Sequence, residues 1–122
     1  MSYAVLNQLR RGKPLAASVP SKSPDRLAWI GVYPLDMASD HSRRFLENHR
    51  QPIPLPNVLT CHIRHFEVDR GLVEQDVWLS ERDLQNSTSY FTFGDEDLVK
   101  ALKRLGVEIE QLEPHWKTDY PI

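Results

Sequence analysis

The chain has 122 residues, of which 40% are hydrophobic and 26% charged, with a formal net charge of −2. That length suits one hydrophobic core rather than two. The composition excludes a wholly disordered or collagen-like chain, and no apolar run approaches the roughly 20 residues of a membrane-spanning helix.

The N-terminus lacks the basic region and apolar run of a secretory signal, and one cysteine, Cys61, can form no internal disulfide. A cytoplasmic protein is the expectation. Trp29, Trp78 and Trp116 are expected to anchor the interior. Residues 1–60 hold eight Lys/Arg against four Asp/Glu, and residues 61–122 hold seven against thirteen. Two such halves either attract each other within the fold or leave an acidic surface for a basic partner.

Tyr3, Leu6 and Leu9 recur every three residues and suggest a short helix over 2–11, with a strand left open by Ala4 and Val5. Residues 12–26, with Pro14, Pro20 and Pro24, read as a loop or flexible arm. Leu27–Tyr33 is apolar on both parities, as in a strand covered on both faces. A helix is expected between Asp36 and His49, capped by Ser39 or Asp40 and followed by an extended connector through Pro52, Pro54 and Pro56.

Val58–Val68 and Leu72–Leu79 flank Asp69-Arg70-Gly71 and predict a β-hairpin. In a two-residue-loop register, Phe66 and Val68 share a face with Val73, Val77 and Leu79. His65, Glu67, Asp69, Glu74 and Asp76 line the other. Ser80–Asp83 predicts a helical turn and Tyr90–Phe93 a further strand. The strongest helix follows: Asp95, Glu96 and Asp97 stand at its positive end, Lys100, Lys103 and Arg104 near its negative end, and Gly106 beyond it. The tail, with Val107, Ile109, Leu112, Trp116 and Tyr120, reads as a strap over the core. The whole of 1–122 is therefore expected to be one α+β domain, an antiparallel sheet of three to five strands with two or three helices packed on it.

No catalytic motif survives geometry. Cys61 and His65 on one strand stand roughly 13 Å apart while His62 points to the other face, so the three cannot share a zinc ion. His65-Phe-Glu67 matches half of a zinc deaminase signature, but the cysteines of the other half are missing. Asp40-His41-Ser42 lists triad residues that would fan apart on a helix. The five glycines form no phosphate-cradling loop. The expectation is no enzyme, no metal and no cofactor.

The acidic hairpin face is the leading candidate for binding. Glu67 opposite Glu74 and His65 opposite Asp76 would repel or go unsatisfied without a neighbour such as Arg64 or Arg82, or a partner. The proposed partner-binding set is Glu67, Asp69, Glu74, Asp76 and Trp78, with the tryptophan as an apolar anchor.

The Asp69-Arg-Gly71 turn, the Phe93-Gly-Asp-Glu-Asp97 helix start and the closing Trp116-Lys-Thr-Asp-Tyr-Pro121 resemble immunity proteins of contact-dependent inhibition and other polymorphic toxin systems. The resemblance covers roughly residues 60–122 and rests on no diagnostic motif, so it transfers no individual binding residue. It implies neutralisation of a cognate toxin domain, a basic nuclease being the type of partner an acidic face suits, with no membrane and no direct nucleic-acid contact. The alternatives are an enzyme or ligand-binding domain whose site assembles around His62, His65, His115 and Tyr120, and a nucleic-acid regulator using the arginines of the first half.

Overall fold

The computed structural model describes residues 3–75 and 78–121. In chain order the elements are α1 (Tyr3–Arg10), β1 (Leu15–Val19), β2 (Arg26–Leu35), α2 (Asp40–Asn48), β3 (Thr60–Asp69), α3 (Arg70–Glu74), β4 (Leu84–Phe93), α4 (Asp95–Arg104) and β5 (Glu113–Pro114). Single 3-10 turns lie at Glu81–Asp83, Ile109–Gln111 and His115–Lys117. The sheet is antiparallel in the order β4-β3-β2-β1-β5, giving the expected α+β fold with its full five strands.

Strand alternation divides the sheet into two differently covered faces. On the first, Leu15, Ala17, Ile30, Val32, Cys61 and Ile63 pack under Val5, Leu6 and Leu9 of α1 and Leu98, Ala101 and Leu102 of α4. On the second, Trp29, Phe66 and Val68 form a smaller cluster with Leu72, Val73, Leu79 and Tyr120. α2 lies over the other end of this second face, where Phe45 meets the rings of His62 and Phe91.

The termini of α4 follow from its sequence. Its first turn carries Asp95, Glu96 and Asp97, and its last carries Lys103 and Arg104. Gly106, at φ 81°, closes a Schellman motif in which Gly106 N–H donates to Lys103 C=O and Val107 N–H to Leu102 C=O.

Three expectations fail here. The segment 12–26 is not a loop throughout, because β1 occupies Leu15–Val19 between Pro14 and Pro20 and pairs with β2 over its whole length. Those prolines delimit a strand instead of forbidding one. The hairpin of 58–68 with 72–79 does not form. Asp69 accepts from Gly71 N–H and caps α3, and the strands beside β3 are β2 and β4. Cys61 and Ile63 are buried on one face and Phe66 and Val68 on the other, so β3 needs a covering layer on both sides, which an exposed two-stranded ribbon cannot supply. Trp29 is a core residue, but Trp78 is 100% and Trp116 76% exposed, so two of the three tryptophans are not interior anchors.

Candidate functional site

The acidic set does not assemble into one face. Glu67 pairs in register with Ala28 and Gln85, not Glu74. Its carboxylate accepts from Ser21 Oγ and from Asn86 Nδ2 and lies 3.9 Å from Arg26 Nη1, and these two hydrogen bonds hold it below its ordinary pKa. Glu67 is thus an internally satisfied group, its side chain only 12% exposed. Asp69 is a helix cap and Glu74 is exposed on α3. Asp76 and Val77 lie outside the described residues, and with them the expected facing of Asp76 and His65; among the described residues His65 pairs with Ile30 and Thr88. Trp78 is fully exposed to solvent.

The polar and aromatic groups that do converge lie on the second face of the sheet. Tyr33 of β2 and His62 and Arg64 of β3 form its floor, flanked by Phe91 of β4. α2 brings Phe45 and His49 over one end, and the C-terminal segment brings His115 and Tyr120 over the middle. His62 stacks on Phe91 with centroids 4.9 Å apart and meets Phe45 edge-on at 5.2 Å. Tyr33 and Tyr120 share a hydrogen bond of 2.5 Å between their hydroxyls, and His115 lies 4.2 Å from the Tyr120 ring. Arg64 Nη2 donates to Glu81 Oε2 at 2.7 Å. Of the four residues named for a three-dimensional site, His62, His115 and Tyr120 come together, and His65 faces the opposite side, as strand alternation dictates.

Tyr120 reaches the sheet because Gly31 has no side chain. A Cβ built there would stand 2.2 Å from the Tyr120 hydroxyl oxygen and 2.7 Å from Cζ. The Tyr33–Tyr120 pair also separates two hollows. One, of about 500 Å³, is lined by Tyr33, His41, Phe45, His62, Arg64 and Glu81. The other, of about 700 Å³, is framed by Trp78, Leu79, Trp116, Asp119, Tyr120 and Pro121.

Burial sets the electrostatics of these groups. Burial, with Arg64 and His49 nearby, lowers His62 to about 4, so its imidazole is neutral at pH 7. Its Nε2 lies 3.1 Å from Ser89 Oγ, but a group titrating that low is a weak base, and among the described residues nothing hydrogen-bonds its Nδ1 to orient it. Burial, then the bond with Tyr33, raises Tyr120, which stays a neutral phenol. On the opposite face burial pushes the Cys61 thiol up to about 12, which leaves it without thiolate character. No group of three or more His, Cys, Asp or Glu among the described residues could hold a metal ion. No helix among them is long and apolar enough to cross a membrane.

The sequence reading missed Tyr33, Phe45, Arg64 and Glu81 as neighbours. The usable signal was parity: Tyr33 and the pair His62 and Arg64 each occupy one phase of a strand. Compared with known protein families, curated proteins and solved structures, the chain matches none.

Proposed function

We propose that this chain is a non-enzymatic protein-binding module of the immunity type, which neutralises a cognate toxin domain by occupying it. The observation that carries the reading is the pair Trp78 and Trp116, 100% and 76% exposed, both lining a groove of about 700 Å³. Large aromatics held open to solvent beside a groove are the residue type that dominates protein-protein affinity. Asp119 on the groove wall supplies a carboxylate for a basic partner. Co-expression with the toxin-type domain encoded beside this gene should abolish its toxicity, and the two chains should copurify in fixed ratio. The double variant Trp78→Ala/Trp116→Ala should weaken binding by about 100-fold. Undiminished toxicity, or a double variant that binds as tightly, would refute the reading.

A second reading is favoured by the smaller hollow, where aromatic walls converge on Arg64: a site for a small aromatic anion that takes the place of the Glu81 carboxylate, now 2.7 Å from Arg64 Nη2. It predicts that an aromatic carboxylate such as benzoate raises the melting temperature of the wild type but not of Arg64→Met. Equal responses of the two proteins would remove it.

A further inference from the structure

The two margins of the sheet are built differently. At one, the two-residue β5 pairs with Leu15 and Ala16 of β1 and sets Glu113 and Pro114 along the edge, a charge and a residue without an N–H. Both features discourage further strands from pairing. At the other margin β4 has β3 on one side and, among the described residues, no strand on the other. Its ten residues, LQNSTSYFTF, include no charge, proline or glycine. A register slip between His65 and Glu67, opposite Asn86 at φ 52°, disturbs only the first part of the strand. Thr88–Phe93 then runs in unbroken register. Ahead of Phe93, whose N–H already donates to Asp97 Oδ2 at 2.9 Å, a strand edge of this kind presents alternate N–H and C=O groups outward.

An independent feature lies along the same residues. A hollow of about 620 Å³ follows Ser89, Tyr90 and Phe91, with His49 and Gln51 at the end of α2 as one wall and Arg104 and Leu105 at the end of α4 as the other. α2 and α4 cover opposite faces of the sheet, so the hollow is a trough whose floor is the strand edge. We propose that this trough is a strand-docking site that takes an extended segment of a partner protein bearing an acidic side chain, adding a sixth strand to the sheet. Main-chain hydrogen bonds to β4 would supply affinity, and the walls would receive alternate side chains. Arg104, with exposed Lys100 and Lys103 on the same helix, supplies the preference for an acidic residue. The site is distinct from the tryptophan groove and does not depend on the partner's being a toxin.

The test is selection of random short peptides displayed on phage against the intact chain. Recovered peptides should alternate β-branched or aromatic residues and carry Asp or Glu. A synthetic copy should shift the amide resonances of Thr88–Phe93. N-methylation of its backbone in one alternating phase should weaken binding by about 10-fold or more, and in the other phase should not, since only one phase faces β4. Arg104→Glu should weaken the acidic peptide and strengthen its lysine-substituted version. No enrichment, resonance shifts elsewhere, or indifference to the phase of methylation would overturn the proposal. So would a dimer in sedimentation that protects the β4 amides, which would assign the edge to a second copy.

Discussion

Replacing Gly31 with alanine tests how the C-terminal segment is seated. Gly31 does not have a positive φ, so its backbone accepts alanine, and the perturbation is purely steric. The new methyl would stand 2.2 Å from the Tyr120 hydroxyl oxygen, 2.7 Å from Cζ and 3.0 Å from Cε2 of Tyr33. No small shift relieves three such contacts, so the Tyr120 ring must leave. Its departure breaks the hydroxyl pair with Tyr33, worth about 1 kcal/mol. It also removes the edge-on packing on Phe66 at 5.4 Å, worth about 0.5–1.5 kcal/mol. Gly31→Ala should therefore destabilise the fold by roughly 1.5–2.5 kcal/mol in urea unfolding followed by circular dichroism. With Tyr120→Ala already in place the same substitution should cost less than about 0.5 kcal/mol, giving a coupling of roughly 2 kcal/mol in the double-mutant cycle. Additivity of the two substitutions within about 0.5 kcal/mol would refute the claim that the glycine exists to seat the tyrosine.

His62 titrates near 4 when folded, against 6.5 for a free histidine side chain, so between these values the unfolded chain holds more protons and stability should fall as the pH drops from 6.5 toward 4. His62→Gln should flatten that limb by about 1 kcal/mol after allowance for solvent screening; an unchanged pH profile of unfolding would argue against its burial. Glu67 acts in the same direction at lower pH: its folded pKa lies below the ordinary 4.5, so its contribution is present above 4.5 and lost as the pH falls through the folded value. Glu67→Gln should cost about 1–2 kcal/mol at pH 7 and less in acid, with a constant cost across pH counting against the hydrogen-bonded carboxylate. The Cys61 thiol should react with an aromatic disulfide reagent only as fast as the protein opens, and a fast stoichiometric reaction in the native state would contradict its burial.

Local signals were most legible where a segment's own residues decide its conformation. The charges and terminal glycine of α4 and the Ser80–Asp83 turn, whose carboxylate accepts from the Ser80 N–H at 2.7 Å, follow from capping chemistry that operates within a few residues. Failures arose where pairing partners lie far apart in sequence. Asp69-Arg-Gly71 looked like a hairpin turn, yet the same Asp and Gly make a helix cap, and what decided between them was the need of β3 for β2 and β4 on its two sides. The expected acidic face inherited that error. It placed Glu67 opposite Glu74, whereas the ladder sets it against Ala28 and Gln85, with Ser21 and Asn86 in reach. His62, His115 and Tyr120 could be named from the sequence as groups able to converge. Their actual meeting depends on Gly31, which nothing local distinguishes from any other strand glycine.

The pairing of β5 with β1 has a consequence for the order of assembly. Leu15 and Pro114 are neighbours in the sheet although nearly the whole sequence separates them. As the chain emerges from the ribosome, β1 through β4 can pair one after another, each with the strand just made. The outer side of β1 has no mate until residues 113–114 appear, and the hydroxyl of Tyr33 waits equally long for Tyr120. Closing that margin is therefore the last and least local step. A nascent chain stalled before it would carry open strand edges on both sides, the condition in which folding intermediates associate with one another.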